Sequence, residues 1–334
     1  MTDIKQIPLI SSEIGGLWTS YSADTMLVCV LSYFLNQVEC AETRAILQKT
    51  FDLSKQHIQE ITNIFNEEAL PIPNGFTDSD VKVDAPRLFT EGFYLQYLGY
   101  IARAQMHTYT LTLNQIARSD IRAYFSNRIH ESIDLYNSSA DLRLSKGIFI
   151  RAPRVEVTKE VQYVKSTSFL SDWFGEKRPM IAAEITHVFA GIFANIVGRG
   201  ITTANGQVSK ENKNSKYFFE GKTIATKQIA ELTTILTNEG IPIPSSSDSY
   251  VTDSMVSPFS EKLMISHSVM LASSAMSSLG MSIAETMRSD LQAKYMKYAV
   301  EDMKYGKDGI DILIDNGWLE QPPQAVKHEN LVRV

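Results

Sequence analysis

Apolar residues recur every three or four positions through most of this chain, which is the spacing of one face of an α-helix. One such stripe, in residues 41–68, comprises Leu47, Phe51, Ile58, Ile61 and Phe65. A corresponding stripe in the second half comprises Phe218, Ala225, Ile229, Leu232 and Leu236. The pattern predicts an all-α protein.

The second half of the chain repeats the first. Leu70-Pro71-Ile72-Pro73 recurs 171 residues later as Ile241-Pro242-Ile243-Pro244, and the segment that begins at Pro8 recurs at the same spacing from Pro179. Farther along, the offset becomes 170 residues, so that Gly147 matches Gly317. Blocks kept at nearly constant spacing indicate a tandem duplication. We therefore divide the chain into a first copy at 8–153, a linker at 154–178, a second copy at 179–323 and a tail at 324–334.

Each copy is predicted to contain four helices. In the first copy they run from about Ile10 to Gln37, Ala41 to Glu68, Arg87 to Ile116, and from Ser119 or Asp120 to near Gly147. A proline-containing connection separates the two helical hairpins, since proline cannot continue a helix. The four helices are joined by two short connections with a long one between them. This is typical of a ferritin-like bundle, in which the long connection crosses the bundle, although an ordered loop that does not cross it can have the same length. The predicted fold is two tandem four-helix, ferritin-like bundles.

Length and charge narrow the class of protein. A chain of 334 residues is long enough for two domains, and its net charge of −6 provides no general attraction to nucleic acid. The N-terminus shows no secretory signal, and two cysteines suit a reducing compartment. Residues 263–284 contain no charged side chain, but their seven serines favour a buried helix over a membrane span. We expect a cytoplasmic protein without a nucleic-acid partner.

Several longer segments carry a family resemblance. They are LSKQHIQEI, SFLSDWFGEKRP, EITHVFAGI, the two PIP turns and DNGWLEQPPQ. With them the chain resembles a family of duplicated proteins from spore-forming Gram-positive bacteria that is known only as a domain of unknown function. Each half is also similar to the ferritin-like bundles of spore coat protein F relatives. The resemblance implies a role in sporulation or spore structure.

The second copy contains a candidate metal site. A di-iron bundle needs a Glu-x-x-His pair on each of two helices, and here one such pair occurs, Glu184 with His187. These two residues share a helix face, and His267 on the third helix is a candidate third ligand for a single divalent ion. If the first and third helices are antiparallel, however, the two histidines lie ~15 Å or more apart. The equivalent positions in the first copy are Gly16 and Tyr97.

Small residues mark the first and third helices of the second copy. They are Ala190, Gly191, Ala194, Gly198, Gly200, Ala272, Ala275, Gly280 and Ala284. Close helix packing is the favoured interpretation, and the alternatives are an oligomer contact or an apolar ligand pocket lined by Met264, Met270, Met276 and Met281.

None of the common catalytic motifs occurs in the sequence. The leading hypothesis is a non-catalytic structural or interaction protein of a spore-forming bacterium, with protein partners or self-association and no resident cofactor. The alternative is a bundle that binds a metal or a small ligand.

Overall fold

The described part of the chain forms eight long α-helices, four in each copy. The computed structural model describes residues 7–156, 159–170, 178–243 and 250–325. The helices of the first copy are α1 Ser11–Gln37, α2 Ala41–Glu67, α3 Glu91–Leu113 and α4 Ser119–Ser145. Those of the second copy are α5 Ala182–Val208, α6 Asn212–Asn238, α7 Glu261–Glu285 and α8 Ser289–Asp315. The described part of the chain contains helices and two isolated β-bridges but no strand, which confirms the two four-helix bundles.

The long connection within each copy runs along its bundle. In the second copy, His187 near the start of α5 contacts Glu285 at the end of α7, with Nε2 2.9 Å from Oε2. At the opposite end, Ser209 just after α5 donates to Glu261 at the start of α7. Helices α5 and α7 are therefore antiparallel, and the connection between α6 and α7 crosses the length of the bundle. The first copy has the same arrangement, because Ser12 in α1 donates to the carbonyl of Gln115 just after α3.

The helix ends follow the repeat. Gly147 and Gly317 have φ of 69° and 67°, so both adopt the left-handed conformation expected of a C-terminal cap. Neither Ser119 nor Asp120 is the N-terminal cap of α4, because that position is Arg118. Ile133 of α4 is exposed. Helix α3 begins at Glu91 rather than near Arg87 because the preceding residues pair with the second copy.

The two long connections pair with each other across an approximate two-fold axis. Antiparallel bridges join Val81 to Phe259 and Phe89 to Val251. At the 170-residue offset, Val81 corresponds to Val251 and Phe89 to Phe259, so each bridge is the counterpart of the other. The copies therefore meet as two subunits of a symmetric dimer do.

This pairing creates a hydrophobic core that belongs to both copies. Phe93 of α3 is fully buried, stacks on Phe89 with ring centroids 4.4 Å apart, and lies 5.8 Å from the ring of Tyr250 in the second copy. The same cluster includes Phe193 and Leu263 of the second copy. Each bundle also has a smaller core of its own, away from the axis. The duplication predicted the two bundles but not this shared core.

Part of the linker packs against the second bundle. The Arg178 guanidinium lies over the ring of Phe169, 4.1 Å from its centroid, and Ser289 at the start of α8 donates to the carbonyl of Leu170. Trp173 and Phe174, in the quoted segment SFLSDWFGEKRP, lie outside the described residues, as does the tail beyond residue 325.

One of the described helices meets the length and composition criteria for crossing a membrane. It is α5, Ala182–Val208, and half of its most apolar segment is buried within the protein. The core helix of a soluble protein meets the same criteria. The segment that the sequence singled out, residues 263–284, does not meet them.

Candidate functional site

Glu184 is a structural residue. Its carboxylate is fully buried and accepts two hydrogen bonds from the guanidinium of Arg178, at 2.8 and 2.9 Å. It also accepts from the backbone N–H groups of Ile181, Met287 and Arg288. Burial raises the pKa of Glu184, but the bonds from Arg178 and the backbone outweigh burial and hold the pKa below its ordinary value. The carboxylate thus ties the start of α5 to the turn between α7 and α8.

The predicted metal site is not assembled. His187 contacts Ser282 and Glu285 near the end of α7, at 3.3 and 2.9 Å. His267 lies at least fifteen residues earlier in α7, or ~22 Å at the helical rise. Antiparallel packing of α5 and α7 therefore separates the two histidines, as the crossover alternative required. Within the described residues, no group of three or more His, Cys, Asp or Glu side chains is placed to hold a metal ion.

His267 lies instead at the interface between the copies. Its Nε2 is 3.2 Å from the hydroxyl of Tyr97, and the two rings meet edge to face. Tyr97 is the equivalent of His267, so the two side chains face each other across the approximate two-fold axis. Burial lowers the pKa of His267 to about 4, and the imidazole is neutral near pH 7.

A charged group lies midway along the first bundle. His57 of α2 is buried between Asp24 of α1, 3.3 Å from Nδ1, and Glu131 of α4, 2.9 Å from Nε2. Arg128, also buried, donates to the second oxygen of Glu131. Burial lowers the pKa of His57, but the hydrogen bonds to Asp24 and Glu131 outweigh burial and raise it above its ordinary value. His57 is therefore a hydrogen-bonded interior histidine.

We expect the pKa values of these two histidines, His57 and His267, to lie on opposite sides of 6.5. In proton NMR spectra assigned with His57→Gln and His267→Gln, His57 should titrate above pH 6.5 and His267 near pH 4. The stability due to His57 is then complete below pH 6.5 and is lost as pH rises through its folded-state pKa. His267 instead makes the fold less stable as pH falls from 6.5 towards 4. A His57 resonance that titrates below 6.5 would contradict the bridged imidazolium.

Each copy contains a cavity at the same level of its bundle. In the first copy a cavity of about 230 Å³ borders His57 and the ion pairs around it. The second copy has a larger cavity of about 480 Å³. Five of its lining positions are equivalent to lining positions of the first cavity, and they are Gln228, Ala275, Leu279, Tyr298 and Asp302. The duplication has kept the location of the cavity and changed its chemistry.

The larger cavity lies between the two copies. Small residues of α5 and α7 form its walls, among them Ala190, Ala194 and Ala275, and residues of α3 in the first copy close one side. In this part of the two helices the small residues therefore border a cavity, and the ligand-pocket interpretation stays a prediction. Of the four methionines suggested as lining, only Met281 is among the described residues that border the cavity. Met264 is in the shared core, and Met270 is largely exposed.

A chain of polar side chains borders the same cavity. Asn195 donates to Gln228, which donates to Asp302, at 3.1 and 3.2 Å. Asn195 and Gln228 are equivalent to Asp24 and His57, so an amide pair replaces the ionised pair of the first copy. Burial raises the pKa of Asp302 to about 6. Tyr295 also lines the cavity, and its buried hydroxyl has no hydrogen-bond partner in the described structure.

Apolar walls with a few polar groups at fixed positions are typical of small-molecule binding sites, which usually enclose ~300–1,000 Å³. The second cavity has both properties, whereas internal ion pairs occupy much of the polar surface beside the first. Sequence reasoning found the small residues but missed Asn195, Gln228 and Asp302. Their equivalence to Asp24, His57 and Ser132 was the available signal.

Fold and repeat together define a duplicated four-helix-bundle protein with cavities in both copies. The profile of the family described as "Protein of unknown function (DUF3231)" matches the chain twice, at residues 1–161 and 168–331. The chain belongs to this family.

One solved structure that resembles this chain is the crystal structure of a candidate spore coat protein from Bacillus halodurans C-125. The sequence identity is 16%, the match covers 46% of this chain and 100% of the other, and the TM-score is 0.42. No curated protein shows a significant match.

Proposed function

We propose that this protein is a non-catalytic binding protein that holds a small, largely apolar ligand between its two copies. The observation that carries the proposal is the cavity of about 480 Å³, which is lined by α3 of the first copy and by all four helices of the second. Five of its lining positions are equivalent to lining positions of the cavity in the first copy, so the repeat preserves part of its location.

A neutral fluorescent probe tests the proposal. N-phenyl-1-naphthylamine brightens when it leaves water for an apolar site, and we expect it to bind the purified protein with a stoichiometry of one. Ala194→Leu and Ser278→Leu each add apolar atoms to the cavity and should abolish most of this binding. Either variant serves if the other fails to fold, since the two residues lie on different helices.

Ala230→Leu is the matched control. Ala230 is exposed on α6 and does not line the cavity, so its replacement should leave probe binding unchanged. Circular dichroism of each variant separates loss of the site from loss of the fold. If the wild-type protein does not bind the probe, or if folded Ala194→Leu and Ser278→Leu bind it as the wild type does, the proposal is wrong.

An exposed face of α8 supports self-association as a second candidate function. Five large apolar residues occupy this face and are exposed, namely Met296, Val300, Met303, Ile310 and Ile314. Their spacing of four, three, seven and four residues is that of a coiled-coil seam. A seam of this kind packs against another helix with the same pattern. Helix α8 of a second copy of this chain is such a helix.

Analytical ultracentrifugation tests this second candidate. We expect wild-type protein to form dimers and the double variant Val300→Glu, Met303→Glu to be monomeric. Met255→Glu, at an exposed site outside α8, is the control and should still dimerise. A monomeric wild-type protein at all concentrations would contradict self-association through α8.

A role in sporulation, with synthesis in the cytoplasm, stays a proposal that rests on the resemblance of the quoted sequence segments alone. Immunoblots of growing cells, sporulating cells and purified spores of the source bacterium test it. Equal amounts of the protein in growing cells and none in spores would overturn it.

A further inference from the structure

Arg103 places a positive charge beside the cavity between the copies. It belongs to α3 and is one of the residues that the first copy contributes to the lining. Its guanidinium lies over the ring of Phe193 in α5, 3.9 Å from the centroid, and its Nε donates to the carbonyl of Gly99. The guanidinium is therefore held in place by both copies of the repeat.

The guanidinium has no acidic partner among the described residues. The Nε bond leaves both terminal nitrogens of Arg103 without a described hydrogen-bond acceptor. Burial lowers the pKa of Arg103, because a charged group loses hydration there. Arg103 is only half-buried, so solvent reaches its guanidinium, and an anion that enters the cavity would pair with it through charge-assisted hydrogen bonds.

A buried arginine close by, Arg143, adds to the positive charge. Arg143 of α4 donates to Gln96 and to the carbonyl of Ser139, and it too has no acidic partner in the described structure. Burial, and to a smaller extent the nearby charge of Arg103, lower the pKa of Arg143 to about 10. Two guanidinium groups that repel each other make this end of the cavity electropositive.

The second copy contributes a group of opposite charge to the same cavity. Asp302 lines the cavity and carries a negative charge above about pH 6. Ionised Asp302 repels an anion, whereas Arg103 attracts one. The small residues of α5 and α7 form an apolar wall along the same cavity.

We propose that the cavity binds a small amphipathic carboxylate whose carboxylate group pairs with Arg103 and whose hydrocarbon part lies along the small residues of α5 and α7. This inference rests on the proposed function and adds the chemical class of the ligand. Arginine suits this role because its planar guanidinium can donate two parallel hydrogen bonds to one carboxylate.

Competition between probes tests the inference at a pH above 7, where Asp302 is ionised. Decanoate and decanol have the same hydrocarbon length and differ in charge. Each is titrated against protein loaded with the neutral probe N-phenyl-1-naphthylamine. We expect decanoate to displace the probe at about a tenfold lower concentration than decanol does. This is the gain in affinity that one charge-assisted hydrogen bond predicts.

Arg103→Met should remove this preference, because methionine keeps an apolar stem and loses the charge. Decanoate should then bind about tenfold more weakly, with decanol and the neutral probe little changed. Arg122→Met, at an exposed arginine of α4, is the matched control and should retain the preference. If Arg103→Met fails to fold, the comparison of decanoate with decanol on the wild-type protein still decides the matter.

Two outcomes would overturn the inference while leaving the proposed function intact. Decanoate and decanol could displace the neutral probe equally well, or Arg103→Met could keep the preference for decanoate. Failure of the neutral probe to bind would instead reject the proposed function, so the two failures are distinguishable.

Discussion

Phe93→Ala is expected to destabilise the protein by about 3–5 kcal/mol, because truncation of a fully buried phenylalanine removes apolar contacts and leaves a cavity. Phe93 lies where the two copies meet, stacked on Phe89 and close to Tyr250 of the second copy. A Cβ atom built on Gly200 in α5 would lie only 3.0 Å from its ring. The loss should therefore weaken the contact between the copies as well as the first bundle.

Urea unfolding followed by circular dichroism measures both effects. Phe125→Ala is the matched control, since Phe125 is equally buried but belongs to the separate core of the first bundle. We expect similar total losses but a broader, two-step transition for Phe93→Ala alone. A single transition for Phe93→Ala, as sharp as that of the wild type, would show that the shared core does not couple the two bundles.

The helices could be predicted from the sequence because each buries one side. A stripe such as Leu47, Ile61 and Phe65 has the helical period, and all three side chains are fully buried. Because the offset between the copies is nearly constant, each helix predicted in one copy also predicts the equivalent helix in the other. Helix boundaries were less accurate where tertiary contacts decide them, as at Arg87, whose carbonyl accepts from Thr252 of the other copy.

The shared core was not predictable from the same pattern. Periodicity reports that a position is buried but not which partner buries it. The sequence placed Phe89 at the start of a helix and Val251 in a loop, although the two residues form a β-bridge across the approximate two-fold axis. The repeat allowed the two copies to be independent domains or a fused symmetric pair, and only the contacts decide between these arrangements.

The candidate ligands His187 and His267 are separated in the structure for a related reason. Glu184 and His187 share a helix face, but the ligand set also needed a helix direction that the sequence left open. The repeat held a signal against it, since Glu13 occupies the position equivalent to Glu184 in a copy that lacks the histidine. Glu13 accepts hydrogen bonds from the N–H groups of Ala117 and Arg118, just as Glu184 does from Met287 and Arg288. A glutamate that both copies retain serves the fold.

Glu184→Ala is therefore expected to destabilise the second bundle by about 3–5 kcal/mol, the usual cost of removing one partner of a buried ion pair. Arg178 would lose its carboxylate, and the N–H groups of Met287 and Arg288 would lose their acceptor. Because the pKa of Glu184 lies below its ordinary value of 4.5, its contribution is present above that pH. The contribution is lost as pH falls through the folded-state pKa.

Urea unfolding at several pH values tests this role against the metal hypothesis. The wild-type protein should lose stability below pH 4.5 more steeply than Glu184→Ala, which no longer has the group that titrates. Glu285→Ala is the matched control, because this glutamate contacts His187 but is 54% exposed, and its loss should cost less than ~1 kcal/mol. A chelator should leave the wild-type midpoint unchanged. If the chelator lowered the midpoint as far as Glu184→Ala does, the carboxylate would be acting as a metal ligand, and its assignment as a purely structural residue would be wrong.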